Sequence, residues 1–323
     1  MALYYAGFNA SPLFTEEEDI VIALDRFTKV PFSGVTNMEI SWNYFLLWRD
    51  LELYIVGKVD SDDDKKPPEL LKIPESSGSA DVKSLKVPNF INASKELEEE
   101  YPIKISQGGC TVILTNLGRI FNIPILVEMP KRIKFVDFSC GFDHTIMLAA
   151  NGDVYSMGMG TRGQLGHGDL EDCDEPQLIE ALAGLNVVQV SAAGWHNAVV
   201  TDQGDLYTWG WNVNGELGIP KGDTKVVAIP TVINFTNDKE ECIDMNVKKV
   251  QCGNTFTICM MDDRSFWGCG SNKYGQLGQS RQKVTSSTIF FKLDVPLDRK
   301  NIIDFKCEEW GTMISTKVIS SVS

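Results

Sequence analysis

One segment of the chain occurs three times. HTIMLAANGDVYSMGMGTRGQLG begins at His144, HNAVVTDQGDLYTWGWNVNGELG begins 52 residues later at His196, and FTICMMDDRSFWGCGSNKYGQLG begins 60 residues later at Phe256. Each copy has an apolar run, a short polar turn, a second apolar run and a loop that ends in Gly-Gln-Leu-Gly or Gly-Glu-Leu-Gly. The runs and turns predict hairpins, so the chain must bury its apolar faces by placing one all-strand copy against the next.

Weaker copies extend this repeat towards both ends of the sequence. The same register begins at Tyr44, Cys110 and Gly311, which gives six candidate copies. The copy at Gly311 has only its first half, and LYYAGFNA at residues 3–10 matches the missing second half. We therefore predict an all-β fold in which residues 1–323 form a single β-propeller domain, closed by pairing of the N- and C-terminal strands.

The glycines of the first copy imitate a nucleotide-binding loop. Gly158, Gly160 and Gly163 have the Gly-x-Gly-x-x-Gly spacing of dinucleotide sites. Such a loop must open a helix, but QLGHGDLEDCDEP follows here, and its glycines and proline disfavour a helix. In the second copy Asn212 replaces Gly160 while the rest of the repeat persists. We predict no bound cofactor, and we interpret the recurring glycines as structural: Gly158, Gly210 and Gly270.

Composition and charge disfavour several classes of protein. The chain is 43% hydrophobic, which is enough for a large core, and its net charge is −14. Because an acidic surface repels a phosphate backbone, we expect no direct nucleic-acid binding. The sequence has no run of about 18 apolar residues, so no membrane span is expected. MALYYAGFNA at the start lacks the basic and apolar regions of a secretory signal.

The eight cysteines predict neither a disulfide framework nor a metal site. No two of them form a Cys-x-x-Cys pair, and the three histidines lack metal-ligand spacing. Cys140, Cys252 and Cys307 each lie four residues before the start of a copy, so we interpret them as small core residues. We expect a reduced, intracellular protein without a metal.

Catalysis is not expected either. His144 and His196 share one repeat position, where the third copy has Phe256. A catalytic base would not be replaced by phenylalanine in another copy, so both histidines are predicted to be buried and to bond to backbone groups. No Ser/His/Asp, Cys/His or paired-carboxylate set recurs in the repeat, so the chain is not expected to be an enzyme.

Aromatic residues stand just before four of the copies. Equivalent loops of a propeller gather on one face, so these side chains could ring one mouth of the channel and bind a partner, as tryptophans often do. The alternative is packing between blades. The four residues are Trp42, Phe142, Trp195 and Trp310.

AAGWHNAVVTDQGDLYTWGWNVNGELG, residues 192–218, closely resembles the repeat of the regulator of chromosome condensation family. The resemblance is specific over about 136–280 and weaker, but in register, elsewhere. Propellers of this family usually have seven blades, so we expect six or seven here.

SWNYFLLW, GRIFNIP and KYGQLG further resemble a small single-propeller member of the family. This resemblance implies a nuclear protein, chromatin-associated through its partner, that binds a JmjC-domain 2-oxoglutarate oxygenase, an arginine hydroxylase. It also implies a role in chromatin regulation and mitotic chromosome segregation. The founding member of the family is a guanine-nucleotide exchange factor for a small GTPase, so exchange is the alternative function for this chain. A third possibility is an adaptor of a ubiquitin ligase.

Arg119 is the residue to which this resemblance points. It follows Gly118 in its copy, where the three clear copies have uncharged or acidic residues, and the repeat then loses its Gly-Gln-Leu-Gly loop. The hydroxylated arginine of the family lies in an Arg-x-aromatic-x-x-Pro context, which Arg119, Phe121 and Pro124 match, while the intervening residues differ. An arginine on an irregular segment can reach another enzyme's active site. The alternative is a solvated turn arginine.

Residues 58–100 are rich in charge, proline and serine. This composition predicts a flexible insertion. It either increases solubility or docks a basic partner.

Overall fold

The computed structural model describes most of the repeats but not all of the chain. The described residues are 2–9, 23–30, 34–40, 44–49, 52–57, 71–72, 102–107, 111–122, 125–127, 133–220, 225–237 and 241–317. Trp42, Cys110, Pro124 and nearly all of the insertion 58–100 lie outside them.

The described part of the chain is built of 24 strands and two short 3-10 turns, Glu180–Leu182 and Arg299–Asn301. In chain order the strands are β1 (Ala2–Phe8), β2 (Ala23–Lys29), β3 (Val35–Ile40), β4 (Tyr44–Arg49), β5 (Glu52–Gly57), β6 (Leu71–Lys72), β7 (Pro102–Gln107), β8 (Thr111–Thr115), β9 (Ile120–Asn122), β10 (Ile125–Leu126), β11 (Phe135–Cys140), β12 (His144–Ala149), β13 (Val154–Gly158), β14 (Cys173–Leu178), β15 (Val187–Ala193), β16 (His196–Thr201), β17 (Leu206–Trp211), β18 (Val226–Val232), β19 (Val247–Gly253), β20 (Phe256–Met261), β21 (Phe266–Ser271), β22 (Ser286–Lys292), β23 (Ile302–Glu308) and β24 (Gly311–Thr316).

These strands form six four-stranded antiparallel sheets, which belong to two compact units. The first unit comprises Met1–Pro74, Asn212–Thr224 and Ile233–Ser323; the second comprises Glu75–Trp211 and Lys225–Val232. The sheets of the first unit have the orders β2-β1-β24-β23, β3-β4-β5-β6 and β19-β20-β21-β22. Those of the second are β7-β8-β9-β10, β11-β12-β13-β14 and β15-β16-β17-β18.

The six candidate copies correspond to the six sheets. Every copy starts at or next to the first residue of the second strand of its sheet, as β12 does at His144 and β16 at His196. The two ends of the described chain share one sheet, because β1 pairs with β24 from Ala2 opposite Thr316 to Gly7 opposite Gly311. The predicted pairing of N- and C-terminal strands is therefore confirmed.

The hairpin between the second and third strands follows from local sequence. All six residues of β12 are buried, and β13 pairs with it directly after the turn. Gly152 in that turn has φ +87, a conformation that glycine adopts without a Cβ clash. In the third copy Arg264 has this role with φ +62, and its Nη1 donates to three backbone carbonyls at 3.1–3.3 Å, which compensates for the strained backbone.

The apolar core of each unit lies between neighbouring sheets. In the second unit, Ile146 of one sheet and Val199 and Trp209 of the next belong to one buried cluster. In the first unit, Phe256 and Phe305 belong to a cluster that joins β19–β22 to the sheet of the terminal strands. Full burial of each such side chain stabilises the fold by about 1.5–3 kcal/mol. In these two clusters the apolar residues of one sheet thus pack against the neighbouring sheet of the same unit.

A loop of each clear copy reaches the following sheet. The main-chain oxygen of Gln164, between β13 and β14, accepts hydrogen bonds from Asn197 Nδ2 at 2.8 Å and from Trp209 Nε1 at 3.0 Å. In the first unit the main-chain oxygen of Gln276 accepts a bond of 2.7 Å from Thr312 Oγ1. The side-chain oxygen of Gln164 accepts from the Arg162 amide at 2.8 Å, which folds the loop back on itself. The Gly-Gln-Leu-Gly sequence is therefore a connector between sheets.

We predict that Gly210→Ala strongly destabilises the protein. Gly210 has φ +106, and a Cβ there would lie against the Trp195 carbonyl oxygen and 2.9 Å from the His196 Cα. The strained backbone and the clash together should lower the free energy of unfolding by about 3 kcal/mol or more in urea denaturation. Gly184→Ala is the control, because Gly184 has φ +85 but nothing within 4 Å of its Cβ position. Equal losses in the two variants would contradict a role for close packing at Gly210.

Candidate partner-binding surfaces

Arg119 lies in the turn between β8 and β9. Its carbonyl oxygen accepts a bond of 3.0 Å from the Thr115 amide, and its own amide donates to Thr115 Oγ1 at 3.3 Å. The Arg119 side chain is exposed, and its guanidinium carbon lies 5.6 Å from the centroid of the Phe121 ring, which is 1% exposed. A fixed backbone therefore holds an exposed arginine above a buried ring.

The sheet that carries Arg119 has short outer strands. Its third strand, β9, has three residues and its fourth, β10, has two, whereas β13 and β14 have five and six. The weak repeat after Arg119 still forms a four-stranded sheet. Because β9 and β10 are short, fewer backbone hydrogen bonds join these two strands beside Arg119 than join β13 and β14 in the neighbouring copy.

Aromatic and cationic side chains meet at another place in the second unit. The rings of Phe142 and Trp195 pack edge to face with centroids 4.9 Å apart. The guanidinium carbon of Arg162 lies 4.0 Å from the Trp195 centroid and 5.5 Å from that of Trp211. We call Phe142, Arg162, Trp195 and Trp211 the Trp195 cluster. All four residues are half-buried, and Trp195 Nε1 donates to Asp143 Oδ2 at 3.4 Å.

Trp310 has a related environment in the first unit. Its ring packs edge to face on Tyr274 at 5.7 Å, and Tyr274 packs on Phe8 at 5.2 Å. Tyr274 and Arg162 hold the same repeat position, directly before the glycine of Gly-Gln-Leu-Gly. Sequence analysis missed both residues, although this shared position was a usable signal. The predicted ring of four aromatic residues stays a prediction, because Trp42 lies outside the described residues.

Arg119 and the Trp195 cluster lie at opposite ends of the sheets of the second unit. Arg119 is in a turn between second and third strands, whereas Phe142 and Trp195 are in turns between first and second strands. Neighbouring sheets have the same orientation, because the Phe142 amide donates to the Gly194 carbonyl oxygen at 2.8 Å, turn to turn. A six-residue strand is about 20 Å long, so these are two separate surfaces.

The two repeat histidines are buried. Nε2 of His144 lies 2.8 Å from Asn197 Oδ1, and Asn197 in turn donates to the Gln164 carbonyl oxygen. The prediction that His144 bonds to the backbone was therefore wrong; a side-chain amide from the next sheet is its partner. Burial lowers the pKa of His144 to about 4. The ring is neutral at physiological pH and serves as a structural donor.

The cysteines of the described residues are all free thiols. Cys252 and Cys307 are buried as predicted, whereas Cys140 is only half-buried. Burial raises the pKa values of Cys259 and Cys269 well above that of an ordinary thiol, which makes them unreactive. Across the described ranges, no group of three or more His, Cys, Asp or Glu side chains is arranged to hold a metal ion. No helix there is long and apolar enough to cross a membrane.

Comparison with known proteins identifies the repeat. Residues 151–200 and 203–260 match one model of the regulator of chromosome condensation (RCC1) repeat, and a second model of this repeat matches 135–164, 187–216 and 247–276. The chain carries RCC1 repeats.

Two relatives and one solved structure place these repeats in context. RCC1 domain-containing protein 1 of Mus musculus is 31% identical over 223 residues, which is 59% of each chain. The human E3 ubiquitin-protein ligase HERC2 is 39% identical over 160 residues, 48% of this chain and 3% of HERC2. The crystal structure of Prp20p from Saccharomyces cerevisiae has a TM-score of 0.66 at 13% identity and covers 99% of this chain and 92% of Prp20p. The chain therefore has the β-propeller fold, and it spans less than two thirds of either relative.

Glu216 is an exception among the connector loops. It replaces the glutamine of the other two clear copies, and its carboxylate accepts from the Asn214 amide at 2.6 Å and from Asn214 Nδ2 at 3.1 Å. Burial raises the pKa of Glu216 to about 6, despite these hydrogen bonds. Because the pKa is higher in the folded than in the unfolded chain, protonated Glu216 favours folding at low pH. This contribution is lost as the pH rises through 6.

We predict that Glu216→Gln stabilises the protein relative to the native chain, and that this difference in the free energy of unfolding increases as the pH rises from 4.5 to 7. The gain should reach about 2 kcal/mol, because the variant buries no charge. Urea denaturation at several pH values measures it. Gln276→Glu is the reciprocal control and should lose stability over the same range. Parallel pH profiles of the native chain and Glu216→Gln would contradict the raised pKa.

Proposed function

We propose that this chain is a non-catalytic interaction protein that binds a JmjC-domain 2-oxoglutarate oxygenase and presents Arg119 to it as a substrate. The observation that carries this proposal is the exposed Arg119 side chain on a hairpin whose backbone is held by Thr115. Two things support the identity of the partner: the resemblance of GRIFNIP to the hydroxylated segment of the family, and the similarity to RCC1 domain-containing protein 1.

The chemistry of this reaction belongs to the partner. An oxygenase of this class inserts one atom of O₂ into a C–H bond of the arginine side chain, while the other atom enters the succinate formed as 2-oxoglutarate loses CO₂. The propeller needs only to offer the side chain. Arg119 meets this requirement, because its side chain is exposed and its backbone hydrogen bonds are made within the turn.

A second hairpin arginine provides a matched control. Arg264 lies in the equivalent turn of the third copy, but it is half-buried and its Nη1 donates to the carbonyl oxygens of Arg299, Lys300 and Ile302. Entry into another enzyme's active site would break these bonds. Because Arg119 is exposed and Arg264 is half-buried, we expect an oxygenase to discriminate between the two arginines.

The cellular setting is part of the same proposal. We propose a nuclear protein that reaches chromatin through its partner and acts in chromatin regulation and mitotic chromosome segregation. The net charge of −14 supports contact through a protein, because direct binding to a phosphate backbone needs basic residues.

The first test is capture from nuclear extract with the full chain and with Arg119→Lys and Arg264→Lys, read by quantitative mass spectrometry. We expect a JmjC-domain oxygenase among the captured proteins and one added oxygen on the Arg119 peptide, with Arg264 unmodified. Arg264→Lys should leave the modification of Arg119 intact. Capture of an oxygenase without oxidation of Arg119 would reject the substrate role, and the absence of any oxygenase would reject the partner.

A guanine-nucleotide exchange factor is the second candidate. The similar Prp20p structure is reported with binding of that protein to Gsp1p and histones, and this chain covers 92% of its length in the structural comparison. Nucleotide exchange requires only a surface that loosens the nucleotide from the GTPase. It needs no catalytic residues in the exchange factor. Faster release of labelled GDP from a captured small GTPase on addition of this chain would favour this function.

A further inference from the structure

The part of the chain around the Trp195 cluster is strongly acidic. Residues 135–211 contain eleven Asp and Glu residues but a single Lys or Arg, which is Arg162. Six of these acids lie at the same end of the sheets as the cluster, in the turn before β12 and in residues 169–175, which end the loop between β13 and β14 and include the first three residues of β14. They are all exposed: Asp143, Asp169, Glu171, Asp172, Asp174 and Glu175.

Hydrogen bonds connect the acidic loop to the cluster. Asp172 Oδ1 accepts a bond of 2.8 Å from the Gly160 amide, two residues before Arg162. Asp143 accepts from Trp195 Nε1. Leu170, at the tip of the loop, is 49% exposed. Carboxylates, half-buried aromatic rings and an apolar side chain therefore share one surface.

Arg162 indicates which cation this surface accommodates. Its guanidinium lies over Trp195 at 4.0 Å and near Trp211 at 5.5 Å, in the geometry of a cation–π contact. The two rings are thus spaced to accept a planar cation, and the chain itself supplies one. Guanidinium groups stack on aromatic faces better than the ammonium group of lysine does.

The equivalent loop of the first unit has the opposite charge, although Arg281 is paired with Asp25 and Trp310 Nε1 donates to Glu309. There the loop 271–285 between β21 and β22 has three cations, Lys273, Arg281 and Lys283, and no Asp or Glu. Trp310 packs there on Tyr274 rather than on an arginine. The acidic character of the Trp195 cluster is therefore particular to its copy and not a general property of the repeat.

We propose that the Trp195 cluster and residues 169–175 form a docking surface for an arginine-rich basic segment of a partner protein. Carboxylates attract and orient the segment, and its guanidinium groups stack on Trp195 and Trp211, adding to or displacing Arg162. An acidic partner would meet six carboxylates around one cation, which is unfavourable. Because Arg119 lies at the other end of these sheets, the inference does not depend on the proposed oxygenase.

Peptide binding to the full chain tests this surface. The probes are three fluorescently labelled peptides of equal length in which glycine alternates with arginine, lysine or glutamate, titrated by anisotropy at about 0.15 M salt. We expect the arginine peptide to bind several-fold more tightly than the lysine peptide, and the glutamate peptide not to bind. Tighter binding of the glutamate peptide, or equal binding of all three, would overturn the proposal.

Substitutions separate stacking from general charge attraction. Trp195→Leu should weaken binding of the arginine peptide at least about fivefold, whereas Trp310→Leu, at a ring that packs on the basic loop through Tyr274, should change it less than about twofold. Equal effects of the two variants would mean that the acidic chain attracts the peptide without using the cluster. Asp174→Asn with Glu175→Gln, two exposed substitutions that leave the rings intact, should weaken binding about threefold.

Arg162 itself provides the sharpest discrimination. Arg162→Gln removes the internal cation and should increase affinity for the arginine peptide. Lys134→Gln removes the same charge at the opposite end of the sheets, before β11, and should have a smaller effect. Loss of arginine-peptide binding in Arg162→Gln would show that the rings do not accept guanidinium groups from the peptide in place of Arg162, and it would overturn the proposal.

Discussion

A hydrogen bond between consecutive copies of the repeat organises the clear part of this structure. In each clear copy the main-chain oxygen of a Gln or Glu residue accepts a bond from the second strand of the next sheet. The donors follow a fixed repeat position: Asn197 bonds to Gln164, Thr257 to Glu216 and Thr312 to Gln276, at 2.7–2.8 Å. The glycines around these residues let the loop approach closely, and the strands can then pack their apolar faces against each other. Loss of the bond from Asn197 to Gln164 would weaken the contact between two sheets of the second unit that share a core.

Because these hydrogen bonds hold the sheets, the residues of the turns can differ from copy to copy. The turn between second and third strands has glycine at one position in three copies, but the copy that begins at Phe256 has Arg264 there, and Arg264 donates to backbone carbonyls. The next position is Arg119 in one copy and acidic in two others. The connector loop likewise carries Arg162 in one copy and Tyr274 in another without losing its main-chain bond to the next sheet. Binding specificity can therefore change one turn at a time.

Sequence periodicity left the number of sheets at six or seven, but it was sufficient to predict the sheets that the described residues form. The reason is that a register repeated at His144, His196 and Phe256 is a local pattern, and each start coincides with a strand. The exposure of Arg119 also follows from a local signal, a charged residue directly after a turn glycine. Its role as a substrate stays a prediction.

Contacts between copies could not be predicted in this way. The ring of Trp195 meets a guanidinium from a residue 33 positions earlier, and His144 finds its partner 53 residues away. The pattern within one copy contains no information on such pairs. The raised pKa of Glu216 has the same origin, because burial by the next sheet, and not the sequence of its own loop, determines it.

The distribution of charge bears on how such a propeller can serve more than one partner. The end of the second unit that carries the Trp195 cluster is acidic and aromatic, whereas the opposite end carries an exposed arginine on a fixed hairpin. Both features use turns that the connector hydrogen bonds leave free to differ. A partner bound at one end would not cover the other, since the length of the strands separates them. The two surfaces of the second unit are therefore independent of each other.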